Sequence, residues 1–534
     1  MFAQLVDPLH NLVLTGLVAL IPVVLLLVLL AVYRTSAWLA TLIGSLVTFV
    51  LAFTVWQMPL GSGVRAYVYG AATGIWAVDW ITVWGVMIFN TLRVSGDFER
   101  FRRWLMAHAT ADIRVQTILL AWAFGALLEG LVGFGLPWAV VAPILVASGV
   151  PDLDALRVAA IANNAPVSYG ALGVPIIALA AVTGLPLMAL SASVGRIVAL
   201  LALLPPWVLI YLVTGRRGLR EGWPLAVVGS LSYIAGQFPV SQYLGPYLPD
   251  IAGAIVSFAA VFALLKVWRP ATILGYGGVV VENADEDRSH GLSRAEIIRA
   301  WLPFAVLMVV VILWTGPWSP LMRQSLLAVK VTAMSAVTHK PVAALFNFNP
   351  YISGTAILVS WLIIVALLRP GIGQLGEIFR RTYHQMWGAV LVGAFIFGLA
   401  YVFNYSGMAT SLAFVCSHAG TAFLVIAPIL GWIGVALSGS NTSTNAMFGY
   451  FQVLVGNLLG FPNLLLPSLN SVGAEIGKPV APQTASVGVS TSRFVRNEGE
   501  VIRHNMGWTF VLLGYLILIA LLIYFVFPNW MRTA

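Results

Sequence analysis

Long apolar runs, parted by short polar turns, set the rhythm of the chain. They cover about residues 12–33, 38–56, 68–91, 194–214, 223–236, 250–267, 300–316, 350–368, 387–404 and 507–527. A helix needs roughly 20 apolar residues, within a range of about 17–25, to cross the hydrocarbon core of a bilayer. All but the short run at 223–236 therefore predict spanning helices. Two further regions, about 115–190 and 420–492, are as apolar but are broken repeatedly by Gly, Pro and polar residues. The sharpest break is Leu437–Phe448, "LSGSNTSTNAMF", which sets two Asn, two Thr and three Ser around one Gly. The pattern predicts an all-α polytopic membrane protein of about 12–14 transmembrane segments.

Composition narrows this further. The chain is 60% hydrophobic and 9% charged, against about 25% charged in soluble domains. The first run, Leu12–Val32, is too long for a signal-peptide core of about 7–15 residues and has no basic flank, so it reads as a first transmembrane helix. The 534 residues form a single integral membrane domain, because a bundle of about a dozen helices uses such a length as one unit. The single Cys416 leaves no intramolecular disulfide and no Cys-based metal site; neither metal nor cofactor is expected. The net charge of +9 is spread over short loops, so it reads as an orientation signal, with the lipid bilayer rather than nucleic acid as the partner.

Basic clusters stand at Arg93/Arg100/Arg102/Arg103/Arg114, Arg216/Arg217/Arg220, Lys266/Arg269, Arg369/Arg380/Arg381 and Arg493/Arg496/Arg503, whereas the turns at 57–67, 237–249 and 405–419 hold one Arg between them. By the positive-inside rule the clusters are cytoplasmic and the turns external. Both termini are then external, and the polar stretch over about 269–298 is a cytoplasmic linker. The segment 317–349 fits less well: it is assigned outside yet carries Arg323, Lys330 and Lys340, and is expected to lie on the external surface.

The two broken regions read as copies, with cores at about 113–190 and 420–492. Asn163, Gly170 and Pro175 in "NNAPVSYGALGVP" match Asn470, Gly477 and Pro482 in "NSVGAEIGKPVAP" at the same offsets. The first region is entered from the cytoplasmic side and the second from outside. Two similar units of opposite orientation make inverted-topology repeats with broken or re-entrant helices, and transporters place their substrate site where such repeats meet.

Unpaired backbone groups survive in hydrocarbon only where protein or a cavity satisfies them. The breaks at 127–137, 163–175, 437–445 and 473–484 are therefore expected to converge on a cavity, with half-helix N-termini suited to a carboxylate. Ser440, Asn441, Thr442, Ser443 and Asn445 offer hydroxyls and amides to a small anion; packing between helices is the alternative role for any one of them. Glu129 lies within the apolar "FGALLEGLVGFG". An ionisable residue at such depth is costly and marks function by default, so Glu129 is a candidate for proton coupling; its alternative is to accept hydrogen bonds from unwound backbone. Lys478 is a candidate cation for a substrate carboxylate, or it pairs with Glu475, or it snorkels to the cytoplasmic face. Asp79 in "IWAVDWITVW" is expected to pair with a cation in the bundle, and Arg196 to snorkel. Trp38, Trp80, Trp84, Trp207, Trp223, Trp268, Trp314 and Trp530 read as interfacial anchors. Enzyme signatures are absent: there is no HExxH or GxSxG, and "GAEIGKP" has neither the spacing nor the Ser/Thr of a phosphate-binding loop.

At these breaks the chain resembles the L-lactate permease family. The likeness runs nearly full length through "LLEGLVGFGLPWAV", "NNAPVSYGALGVP", "RGLREGWPLAVV", "GPYLPDI", "NYSGMATSLAF", "LGWIGVALSGSNTSTNAMF" and "GKPVAPQTASV". The resemblance implies a bacterial or archaeal plasma-membrane protein that imports lactate, in some members glycolate, with protons. It also implies membership of the ion-transporter superfamily, with inverted repeats, elevator-type movement and often a homodimer. Carried over by motif, the substrate-binding positions are Gly133, Gly135, Asn164, Ser440, Asn441, Thr442, Asn445, Lys478 and Gln483, with Glu129 and Asp79 for proton coupling. Family members often read Thr-Gly-Ser-Asp-Thr where this chain has Ser438-Gly439-Ser440-Asn441-Thr442. Asn441 cannot ionise, so any coupling role of that Asp passes here to Glu129 or Asp79, or coupling differs in this chain. Leu131, Val132 and Leu136 are bulkier than the family's usual small residues, which bears on substrate size. The alternatives to a proton symporter are a sodium-coupled carboxylate transporter, for which the Asn/Ser/Thr run offers neutral oxygen ligands, and a passive anion channel.

Overall fold

The computed structural model of the chain describes residues 2–108, 110–133, 135–281, 293–335, 341–490, 492–494 and 497–532. Phe134, Lys340, Arg496 and linker residues 282–292 lie outside the described residues. The apolar runs are helices. Among the described residues ten helices are long and apolar enough to cross a membrane, and the pair Asp152–Ala162 with Val167–Thr183, bent by 67°, makes an eleventh. One of the ten, Leu187–Tyr243, holds 57 residues, more than two crossings at roughly 20 residues each. It turns at residues 202–204 and again at Gly215, whose φ is 66°.

Several boundaries differ from the expectation. The run at 223–236 is the middle of a helix that continues to Tyr243. The turn at 57–67 already belongs to the helix Leu60–Thr73, and most of 405–419 is the helix Met408–Ser417. The small residues that read as loop, such as Gly63 and Ala66, are the buried packing face of their helix. Trp80 and Trp84, expected as interfacial anchors, form a ring ladder with Trp76 and Trp361, with successive centroids 5.2, 5.3 and 5.4 Å apart. Arg114, expected in a cytoplasmic charge cluster, is fully buried: it pairs with Asp112 at 2.6 Å and donates to the linker carbonyl of Thr272. Linker residue Tyr276 donates to Asp154 at 2.8 Å, and burial together with that carboxylate pushes its hydroxyl up to about 12.

The 317–349 segment is not an irregular loop. β1 (Phe2–Ala3) pairs in parallel with β2 (Leu327–Met334), which pairs antiparallel with β3 (Pro341–Phe348) in the register Leu327↔Phe348 to Met334↔Pro341. Alternation explains the strands, since every second side chain of β3, from Val342 to Phe348, turns toward the protein. Lys330 stays exposed, which is why its charge is tolerated. The sheet is tied down by Gln4, which donates to the carbonyls of Asn404 and Tyr405, and by Tyr405, which donates to Thr332.

The helices form two groups. The first packs Ala37–Thr54, Leu60–Thr73 and Trp80–Ser95 around Ile372–Ser406, with Ser353–Leu368 and Arg294–Thr315 outside. The second holds two units with the same order of parts. In the earlier unit a hairpin, Ile113–Leu131 and Leu136–Ala147, precedes the broken helix Asp152–Ala162 and Gly170–Thr183. In the later unit a hairpin, Gly420–Ser438 and Asn441–Leu459, precedes Leu465–Gly477 and Pro482–Val489. Glycines allow the closest approaches. A Cβ on Gly473 would stand 2.2 Å from the Pro428 carbonyl oxygen, and one on Gly431 2.2 Å from that of Asn470. With no hydrophobic drive between helices in lipid, such backbone contact is what holds them. Gly473→Ala is therefore expected to cost about 1–3 kcal/mol through overpacking and to lower the melting temperature in detergent. Gly514→Ala, on an exposed face with nothing within 4 Å, should melt with the parent. Equal melting of the two variants would refute the packing argument.

Candidate functional site

A cavity of about 990 Å³ lies between the two helix groups. Asp79, Val86, Gln385 and Gly393 form its wall on the first group; residues of both hairpins and both broken helices form the other. Its lining extends to the exposed Arg93 and Glu99 at one end.

The second wall is built from interrupted helices. Gly133 and Gly135 turn the first hairpin with φ of 67° and 72°, and Gly439 turns the second with φ of 72°. Ser440 caps Asn441–Leu459, its hydroxyl accepting from the Ser443 amide at 3.2 Å. The remaining first-turn amides leave partial positive charge at that end. Both tips rest on the start of Pro482–Val489: a Cβ on Gly135 would meet Thr484 Cγ2 at 2.9 Å, and one on Gly439 would meet Gln483 Cβ at 2.8 Å. In the first broken helix Ala171, Leu172 and Gly173 all take left-handed backbone, with φ of 47°, 61° and 79°. For Ala171 and Leu172 this stores on the order of 1–3 kcal/mol each, so the surrounding contacts must impose it.

The charged centre is an ion pair. Lys478 Nζ donates to Glu129 Oε1 at 2.6 Å, with both residues buried. Asn163 Nδ2 donates to Glu129 Oε2 at 3.1 Å, so both carboxylate oxygens are engaged. Gly170 leaves the space: a Cβ there would lie 2.6 Å from Glu129 Oε1. The short turn Lys478–Val480 is held in place by Asn505, which donates to the Pro479 carbonyl at 3.0 Å. Behind the pair, polar groups of the two broken helices bind each other. The Ser168 amide donates to Glu475 Oε1 at 2.9 Å, and the Ser168 and Ser471 hydroxyls are 2.9 Å apart.

Of the positions expected from the sequence, Asp79, Glu129, Gly133, Ser440, Asn441, Thr442, Lys478 and Gln483 line the cavity. Gly135, Asn164 and Asn445 do not. Gly135 packs on Thr484; Asn164 is fully buried with no hydrogen-bond partner for its side-chain amide group; Asn445 donates to Pro175 O and Ser471 Oγ, both at 3.0 Å. Lys478 pairs with Glu129 across the site, neither with Glu475 nor snorkelling outward, because the turn at Lys478–Val480 points it into the second group. Asp79 has no ion-pair partner among the described residues. It ends the π-helical turn Gly74–Asp79, its carboxylate packs against Gly393, and its Oδ2 has no hydrogen-bond partner. Arg196 binds Gln242 and the Trp530 carbonyl. Asn441 donates to Ser471 O at 3.2 Å, while its own Oδ1 is free.

Sequence reading took Asn163 and Gly170 only as repeat markers, not as neighbours of Glu129, and missed Ser168. The doublet Asn163–Asn164 was visible, but which of two adjacent side chains meets Glu129 depends on how the chain turns at residues 163–169.

A multi-pass helical bundle whose interrupted helices enclose a cavity holding a buried ion pair defines a membrane transporter rather than an enzyme. Residues 15–527 match the family L-lactate permease. The chain is 34% identical to glycolate permease GlcA of Escherichia coli (strain K12), over 99% of each chain. It is 32% identical to an L-lactate permease of Bacillus subtilis (strain 168), over 98% of each. The crystal structure of the Alcanivorax borkumensis YdaH transporter shares the fold at 15% identity, with a TM-score of 0.51 over 92% of this chain and 99% of that one. The chain belongs to the L-lactate permease family, and it is a multi-pass protein of the plasma membrane.

Truncating one partner of a buried ion pair leaves the other charge uncompensated, at a cost of roughly 3–5 kcal/mol, whereas replacing both is close to neutral. Glu129→Gln and Lys478→Met are each expected to lower the melting temperature in detergent, and the double variant to recover most of the loss. Single variants as stable as the parent would contradict the pairing.

Proposed function

We propose that the protein imports a small 2-hydroxymonocarboxylate, L-lactate or glycolate, together with a proton. One observation carries the reading: Lys478, a buried cation on the cavity wall, is neutralised by a carboxylate that can itself take a proton. A substrate carboxylate that takes Lys478 displaces Glu129, whose charge is then uncompensated and expensive inside the membrane. A proton on Glu129 removes that cost. In the exchange, the Glu129–Lys478 pair plus a substrate anion plus a proton becomes protonated Glu129 plus a Lys478–substrate pair. The site is neutral before and after. Substrate without the proton leaves one negative charge in excess, and the proton without substrate leaves one positive charge. Coupling follows because only the empty and the doubly loaded site cross hydrocarbon cheaply.

Recognition of the substrate falls to neighbouring groups. Ser440, Thr442 and the free Oδ1 of Asn441 are available to the 2-hydroxyl, and Gln483 is exposed into the cavity. Asn441 binds and does not titrate. The amides and hydroxyls of Asn445, Ser168 and Ser471 bind one another, which favours protons over a sodium ion needing those oxygens. Support for inverted repeats comes from register. Asn163 and Asn470, Gly170 and Gly477, and Pro175 and Pro482 are each 307 positions apart, and the hydrogen-bonded Ser168 and Glu475 are separated by the same 307. Equivalent positions touch only on the axis that relates two copies. With the basic clusters inside and both termini outside, the Arg93–Glu99 end of the cavity opens to the cytoplasm. Movement of the hairpin group against the group around Ile372–Ser406 would then expose the site outside.

In proteoliposomes an inward proton gradient should drive accumulation of labelled lactate or glycolate. Glu129→Gln should keep counterflow exchange but lose, on the order of, tenfold or more of the driven uptake, since a neutral amide cannot exchange the proton that balances the site. Accumulation by the Gln variant at the parent rate would remove Glu129 from coupling, and a dependence of the parent on sodium at fixed pH would replace the proton.

A further inference from the structure

Asp250 is a buried carboxylate that the scheme above leaves unused. It stands in the first turn of Pro249–Val267 and is 1% exposed. The Tyr233 hydroxyl donates to its Oδ1 at 2.8 Å, and its Oδ2 has no hydrogen-bond partner. Among the described residues no cation lies within ion-pair distance of it; Lys478, whose charge reaches it, is committed to Glu129.

Its position is what gives it a task. Gly130 follows Glu129 in the chain, and a Cβ on Gly130 would stand 2.8 Å from the Asp250 Cβ. Asp250 thus sits directly behind the residue next to Glu129. Three residues earlier, in the bend that precedes this helix, Tyr247 lines a second cavity of about 690 Å³. That cavity lies under the three-stranded sheet, with Leu345 and Phe346 in its wall. The helix Gly170–Thr183 divides the two spaces: Ala171 and Pro175 face the substrate cavity, and Ile177 and Thr183 face the second. The titratable and charged groups that face Asp250 are Tyr233 on the adjoining helix, Tyr169 in the turn Val167–Tyr169, Glu129 across Gly130, and Glu475 and Lys478 beyond it. The rest of the neighbouring turn Thr117–Ala123 is uncharged.

We propose that Asp250, oriented by Tyr233, is a second proton site that passes a proton between the outer cavity and Glu129. The inference rests on the proton-symport reading. The step moves one proton: it leaves the Asp250 carboxyl and arrives on the Glu129 carboxylate, and the Asp250 carboxylate regains a proton from the outer cavity. Glu129 can accept only when a substrate carboxylate has taken Lys478. The Glu129–Lys478 pair therefore shuts the relay in the empty protein, and proton and substrate reach the site by separate routes.

Asp250→Asn keeps an acceptor for the Tyr233 hydroxyl but carries no exchangeable acid proton. In proteoliposomes it should retain lactate counterflow within about twofold of the parent and lose about tenfold of the uptake driven by a proton gradient. Tyr233→Phe should retain counterflow and shift the pH dependence of driven uptake. Driven uptake by Asp250→Asn at the parent rate would overturn the relay. So would loss of counterflow in parallel with driven uptake in both variants, which marks a structural role. If the parent itself shows no proton-driven uptake, it is the symport reading that fails, and the two failures are told apart by that control.

Discussion

Glu129 and Lys478 are 349 positions apart in the chain and 2.6 Å apart in the protein. Neither charge is tolerable alone at this depth, because removing an ion from water costs more than any single contact returns. The pair therefore constrains everything near it. The first hairpin must present Glu129 at its tip, the second broken helix must stop at Lys478, and the two must meet inside one helix group. Asn163 completes the carboxylate's hydrogen bonds, and Asn505 fixes the turn that carries the lysine.

The surrounding fold can be understood as what that meeting requires. Left-handed backbone at Ala171 and Leu172 is unfavourable by itself, yet it swings the first broken helix clear of the Glu129 carboxylate, beside which only Gly170 fits. At the break itself Gly173 packs against the Pro246 carbonyl oxygen, and in the later unit Gly431 and Gly473 likewise admit carbonyl oxygens that a methyl group would exclude. Rigid helices around a strained break form a device that keeps two charges in register. They also leave one wall of the cavity, with Asp79 and Gln385, on a separate group of helices.

Neutrality also organises the rest of the interior. Ser168, Ser471, Asn441, Asn445 and Asn470 bind one another between the broken helices, as buried polar groups must where water is scarce. On the far side the three-stranded sheet covers the second cavity and is fastened through Gln4 and Tyr405. Two cavities lie at opposite ends of the helix Gly170–Thr183, one between the helix groups and one under the sheet.

Hydrophobic period and length determined that this chain is a membrane bundle with four interrupted stretches, because the cost of exposing backbone to lipid leaves few alternatives. The same economy of charge made Glu129, Lys478 and Asp79 legible as unusual. Short-range pattern could not say that Lys478 meets Glu129 rather than Glu475, since that depends on where the turn at Lys478–Val480 points. Nor could it choose Asn163 over Asn164, or reveal that Asn445 ties helices together while Asn441 reaches the cavity. The strands of 317–349 were hidden by the short alternation of small residues, and Leu60–Thr73 by glycines that pack rather than turn. In each case the deciding contact joins residues far apart in the chain, and only tertiary structure fixes which faces come together.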